Sequence, residues 1–203
     1  MAAFFVATLG QGLNSTWALY FYRYSLELSE QSLGMVLIVF IVSLCATLPL
    51  WVYLSRRVSK SRLIAIGTIA LGIATGIVYP ILPKQSMTGP IFMALIGGIF
   101  LGSTGLLESL LVDVAEISNI AESAMGQVFG IWKFVAKAAR AAAIAIGGYA
   151  LGVVGYTPLA ATVPPDVAKS IGFLFGPIVA VFFILSGVII LFVREIKPDQ
   201  STT

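Results

Sequence analysis

Charge-free apolar runs follow one another along almost the whole chain, and each is to be measured against the ~20 residues that a helix needs to cross ~30 Å of hydrocarbon. Six runs stand out: residues 1–22, 31–55, 63–83, 91–107 with an acidic extension, a segment ending near Tyr156, and 170–193. Alternation at period two is absent and the runs are too long for barrel strands, which sets aside an outer-membrane barrel. Of the 203 residues, 59% are hydrophobic and 10% charged, and the mean hydropathy is +1.01. A soluble domain could not cover such a chain with polar surface. The fold class is therefore all-α, an integral membrane bundle of six transmembrane helices.

There is no histidine and a single cysteine, Cys45, inside the second run. That excludes an internal disulfide, His/Cys metal sites and Ser/His or Cys/His nucleophiles. Cys45 itself reads as a small packing residue, because free cysteine behaves as a buried hydrophobe. Basic residues near helix ends stay on the cytoplasmic side. Arg56, Arg57, Lys60 and Arg62 cluster between the second and third runs, and Arg194 and Lys197 follow the last. The opposite side holds Lys84 and Lys169, with Arg23 near a helix end. Both termini are thus expected in the cytoplasm, in a multi-pass inner (cytoplasmic) membrane protein. The bias argues against dual topology, and the net charge of +3 reflects it rather than a nucleic-acid surface. No Lys or Arg precedes Arg23, unlike the charged start of a signal peptide. The chain reads as though it began inside a longer protein.

Connections are short, so residues 1–203 form one unit, divisible into three-helix groups 1–83 and 91–193 around "PKQSMTGP". Three plus three is the repeat arrangement within each half of a common transporter class. Small residues recur four apart at Gly72 and Gly76, Gly98 and Gly102, and Gly148 and Gly152. Such spacing lets helices approach closely in lipid, either in ordinary bundle packing or in a dimer contact. Trp17, Tyr20, Tyr22 and Tyr24 crowd one end of the first run. Such rings anchor a helix at headgroup level, or line a ligand cage.

The polar residues inside apolar runs carry the functional reading. Ala141 to Tyr156 is a run of only 16 residues, too few for a crossing at ~1.5 Å each, so the fifth helix must reach back over Lys133, Lys137 and Arg140. At ~100° per residue these cations share one face with Gly126 and Gly130. Intramembrane cations face a bundle interior or a wet cavity and find partners, or they snorkel to the headgroups. The preceding helix offers Glu108, then Asp113 and Glu116. A hairpin turning near Asn119 and Ile120 places Glu108 at the depth of Lys133 and within reach of Lys137, which predicts a pair with one or both. On the first helix Gln11, Asn14 and Ser15 form a polar stripe at i, i+3 and i+4. It suits a sugar-like or zwitterionic solute, or interhelical hydrogen bonds. Asp113 and Glu116 at i, i+3 would also fit a divalent-metal pair of a membrane transferase, but no second acidic motif completes it.

The stretch "LLVDVAEISNIAESAMGQVFGIWKFVAKAAR" resembles the glycoside-pentoside-hexuronide:cation symporters, the melibiose-permease-like branch of the major facilitator superfamily. Val112, Asp113, Val114, Ala115 and Glu116 match the end of that family's tenth helix, and Gly126, Phe129, Phe134 and Lys137 its eleventh. Gly155, Tyr156 and Pro158, Pro49 with "WVYLSRRVSKSR", and "YFYRY" continue the likeness over essentially the whole chain. Two departures stand out. The loop "NIAESAM" lacks the usual basic residues, and the six runs resemble helices seven to twelve of a twelve-helix protein.

The resemblance implies the C-terminal half of a secondary transporter for a small solute, sugar or glycoside in class. It implies no bound cofactor, and a coupling Na+ or H+ whose site lies mainly in the other half. Gln11, Asn14, Trp17, Trp132 and Lys137 are the expected solute pathway; Glu108, Asp113, Glu116, Lys133 and Arg140 are the expected ionic gate or pairing set. Partners would be membrane lipid, the solute, and an N-terminal half-transporter or a parallel second copy. A non-transporting scaffold, or a truncated product without activity, is the rival from another class.

Overall fold

The computed structural model describes residues 1–118, 122–158 and 163–192. Its helices are α1 (Ala2–Tyr20), α2 (Glu30–Ser55), α3 (Lys60–Val78), α4 (Thr88–Leu101), α5 (Leu107–Ile117), α6 (Glu122–Val153), α7 (Pro165–Phe173) and α8 (Val179–Ile190). A tight 3-10 turn, Gly102–Leu106, joins α4 to α5, and a wide π turn, Leu174–Ile178, joins α7 to α8, so eight helices make six rods. The expected turn at Asn119 and Ile120, and the basic residues Arg194 and Lys197, lie outside the described residues.

Local sequence sets the ends and the breaks. Ser29 caps α2, its Oγ accepting from the Ser32 N–H at 3.2 Å and satisfying a donor that the first turn leaves free. Pro165 opens α7, where a missing N–H costs nothing. Pro177 lies within the π turn. It cannot donate to the carbonyl four residues back, and the widened turn absorbs the irregularity. A second π turn, Phe21–Ser25, follows α1. The two meet, with the Phe21 and Phe175 rings stacked at 4.5 Å.

Five rods are long and apolar enough to cross a membrane: Glu30–Ser55, Lys60–Ile81, Thr88–Glu116, Ala124–Val153 and Pro165–Ile190. The chain is thus a multi-pass helical membrane bundle. The first rod does not join that set, because Gln11, Asn14, Ser15 and Thr16 dilute its apolar character. It lies instead against α6 and α8, with Leu13 and Trp17 fully buried. The other main contacts are α3 with α8, α2 with α4, and α3 with α4.

Because lipid offers helices no hydrophobic gain on association, the contacts rest on small residues and interhelical hydrogen bonds. Ser43 donates to the Leu95 carbonyl at 2.9 Å, and Trp51 Nε1 to the Ile99 carbonyl at 2.7 Å, fastening α2 to α4. Between them a Cβ on Gly98 would sit 2.7 Å from both the Phe40 carbonyl oxygen and Ser43 Cβ. Backbone cannot give way as a flexible side chain does. Gly98→Ala is therefore expected to cost roughly 1–3 kcal/mol through forced separation of the rods, read as a lower thermal midpoint in detergent. The same substitution at Gly148, which meets nothing within 4 Å, should leave the midpoint unchanged.

The three glycine pairs differ in what they face. Gly72 and Gly76 face Ile184 and Ala180 closely, and Gly98 and Gly102 face α2, but Gly148 and Gly152 look into open space, as do Gly126 and Gly130. Cys45 is exposed rather than buried. It sits on one face of α2 together with Ile38, Ile41 and Val42, which are exposed as well. Tyr22 is buried, and its hydroxyl lies 3.1 Å from that of Tyr79. Tyr20 and Tyr24 pack on Tyr156 at the end of α6.

The connections at the end away from Arg56–Arg62 are tied together. Lys84 donates to Glu27 at 2.7 Å, Gln85 Nε2 to the same carboxylate at 3.0 Å, and the Gln85 backbone N–H to the Leu26 carbonyl at 2.8 Å. Glu27 and Gln85 both hold positive φ, 56° and 57°, a conformation that non-glycine residues adopt when surrounding contacts impose it. The Lys84 hydrogen bond, then that of Gln85, holds the Glu27 carboxyl below its ordinary pKa.

Candidate functional site

Polar residues at the middle of three rods come together. Gln11 is the central residue of α1. The 3-10 turn with Ser103 and Thr104 interrupts the fourth rod near its centre. The centre of the segment Ala124–Val153 falls between Lys137 and Arg140. Half-length polar groups on three rods therefore lie at similar depth, and Gln11 Nε2 reaches Thr104 Oγ1 at 3.5 Å.

The 3-10 turn sits where Gly102 and Gly105 leave room for α2, since a Cβ at these positions would stand 2.9 Å from Trp51 and 3.2 Å from Leu48, while Ser103 and Thr104 turn their hydroxyls back on the Phe100 and Leu101 carbonyls at 2.7 Å. Such back-bonding occupies carbonyls released by the change of helix type. On the opposite wall α6 runs unbroken from Glu122 to Val153, carrying all three cations as one continuous helix.

Between these elements lies a groove of about 410 Å³ lined by Gln11, Thr104, Glu108, Lys133, Lys137 and Arg140, among others. A second hollow of about 510 Å³ continues from it past Gln11, Ser15 and Arg140. A third, of about 300 Å³, opens from Gln11, Asn14 and Ser15 toward α2, α3 and α4. Gln11 lines all three, and the stripe of Gln11, Asn14 and Ser15 lines the third.

The charges divide unequally. Lys133 donates to Glu108, closing one ion pair across the groove. Asp113 is engaged by Lys60 at 2.7 Å from the start of α3, away from the α6 cations. Glu116 is exposed and makes no ion pair among the described residues. Lys137 and Arg140 likewise have no carboxylate partner there, although both line the groove.

Two expected pathway residues lie elsewhere. Trp17 is 1% exposed, and its Nε1 donates to the Gly147 carbonyl at 3.0 Å, so the indole is a wedge between α1 and α6. Trp132 is 4% exposed, stacked on Phe4 at 3.6 Å, with its buried Nε1 unpaired among the described residues. Both are amphipathic rings whose size drew them into the closest interhelical contacts. Sequence reasoning missed the Lys60–Asp113 bridge and the contribution of Thr104, which only the interruption at Gly102–Leu106 aims at Gln11.

The chain matches the family described as MFS/sugar transport protein over residues 1–195. No curated protein matches it.

Proposed function

The chain belongs to the MFS/sugar transport protein family, major facilitator transporters; from that premise we propose that it forms one half of an alternating-access carrier, supplying one wall of the solute path. The observation that carries this reading is the pair of cations, Lys137 and Arg140, that lack a carboxylate partner among the described residues, at the mid-length of α6 and on a groove with Gln11. Charge at that depth belongs in a water-filled interior, and the groove becomes an enclosed path once a second wall covers it. The nearer relatives, in this reading, are the melibiose-permease-like symporters, with Lys137 as the site residue their eleventh helix shares. The solute is a sugar or glycoside. Coupling to Na+ or H+ belongs to the intact carrier, with an N-terminal half or a parallel second copy supplying the facing wall.

Groups 1–83 and 91–193 are inverted repeats in the same proposal. Exchange of the first three rods for the last three turns α1–α6 into α4–α2 and α1–α8 into α4–α3, and leaves α3–α8 unchanged; all of these are main contacts of the bundle. The consecutive rods alternate in direction, so the exchange inverts them, as in nested carrier repeats. The basic run Arg56, Arg57, Lys60 and Arg62 supports cytoplasmic termini.

Cysteines introduced at Asn14 and Lys137 in a Cys45→Ala background test the path directly. Both should react with a water-soluble maleimide in membranes at rates well above that of a cysteine placed at buried Leu13. Protection at both positions would favour the closed scaffold and remove the carrier reading.

A further inference from the structure

A fourth hollow, of about 450 Å³, lies at the end of the bundle away from Arg56–Arg62, between the start of α7 and the residues that follow α3. It shares no residue with the groove of Lys137 and Arg140, and only Tyr79 with the hollow that opens toward α2, α3 and α4. It is therefore no part of the solute path.

One face of α7 forms its first wall. Pro165, Ala168, Lys169, Gly172 and Phe173 line it at the i, i+3, i+4 spacing of a single helical stripe. Ala168 and Gly172 keep that wall low, since a Cβ on Gly172 would meet nothing nearer than Phe21 at 3.7 Å. Lys169 and Phe173 rise from it one turn apart, and Phe173 is 59% exposed. Across the hollow Leu82 and Lys84 supply the same two kinds of group.

Depth orders these groups. The rod Pro165–Ile190 has 26 residues, ~39 Å of helix at ~1.5 Å each, against ~30 Å of hydrocarbon. About three residues at each end then stand among the headgroups. Lys169, the fifth, is thus at the edge of the hydrocarbon, and its stem carries the ammonium out to phosphate level. Phe173 is a turn deeper, in the acyl region.

Both charged side chains that line the hollow are cations. Glu27 holds Lys84, whereas Lys169 makes no ion pair among the described residues. Asp166, three positions before it, opens α7 outside that lining. A recess between rods that is cationic at headgroup level and apolar beneath matches an amphiphile with an anionic head.

We propose that this hollow binds one anionic glycerophospholipid, its phosphate against Lys169 with Lys84 beside it, and one acyl chain descending past Gly172 and Phe173. The assignment does not depend on the carrier reading. A lipid held there joins α7 to the connections tied at Glu27 and Lys84.

The test is native mass spectrometry of the purified full chain released from dodecyl maltoside. The probes are palmitoyl-oleoyl phosphatidylglycerol, palmitoyl-oleoyl glycerol with the same chains and no phosphate, and inorganic phosphate. One phosphatidylglycerol should be retained at least about tenfold more tightly than the diacylglycerol, the worth of a charge-assisted contact. Lys169→Gln should remove that preference. Arg23→Gln, at the same end but outside the hollow, should keep it. Gly172→Leu fills the recess while leaving Lys169 in place, and should abolish tight retention. Equal retention of the two lipids would overturn the phosphate contact. A preference surviving in Lys169→Gln, or tight retention surviving in Gly172→Leu, would place the lipid elsewhere and overturn the site. Displacement of phosphatidylglycerol by an excess of inorganic phosphate would show a free-anion site and overturn the lipid assignment.

Discussion

Lys137→Ala should reduce solute uptake about 100-fold in cells where the chain works as part of a carrier, while the amount of protein in the membrane fraction stays at the parental level. The separation of the two readouts follows from position. Lys137 lines the groove and makes no ion pair or hydrogen bond among the described residues, so its removal strands no partner and opens no packed contact. What is lost is a charged group lining the groove. Removing one charged hydrogen-bonding group from a recognition site costs roughly 1.5–3 kcal/mol, which at the upper end is a factor of about 100. Uptake unchanged in the mutant would reject the role given to this residue. Lys133→Ala provides the contrast, because it leaves Glu108 without its counter-ion and should lower stability and uptake together.

The second large effect falls on the fold. Trp17→Ala is expected to destabilise the bundle by about 3–5 kcal/mol, the range for deleting a large buried aromatic ring. The indole is 1% exposed and joins α1 to α6 through its Nε1 hydrogen bond to the Gly147 carbonyl, so its deletion leaves a buried gap between the two helices. Trp17→Phe keeps most of the volume but drops the hydrogen bond to the Gly147 carbonyl; it should cost about 0.5–1.5 kcal/mol. Thermal unfolding in detergent of both variants separates packing from hydrogen bonding. A midpoint in the alanine variant as high as in the phenylalanine one would show that the α1–α6 contact does not depend on the ring.

Sequence reasoning located what periodicity and length encode. The rods follow from apolar runs, and the shared face of Lys133, Lys137 and Arg140 follows from the 3.6-residue repeat; the groove does gather all three. The polar stripe of α1 was legible for the same reason, since few polar residues on an apolar helix define a direction. Cys45 was not. The α2 run is apolar on every side, so no pattern tells which side meets the bundle and which meets lipid. Trp17 and Trp132 were misplaced because tryptophan suits an interface, a core or a ligand wall equally well. The partner of Asp113 lies 53 residues away at Lys60, and neither residue's local pattern names the other.

The Lys133–Glu108 contact has a consequence for how the protein is made. Its two members are separated by 25 positions on consecutive rods, and during synthesis the acid leaves the ribosome first. Ala124–Val153 has the lowest hydropathy of the five spans, 1.3 against 1.8 or more for the others, and carries all three groove cations, so it is the poorest candidate to partition into the bilayer alone. A nascent hairpin in which Glu108 already waits beside the translocon would let α6 enter with one of its charges neutralised. Biogenesis would then proceed by pairs of strokes rather than one span at a time, with the salt contact serving first as an insertion aid.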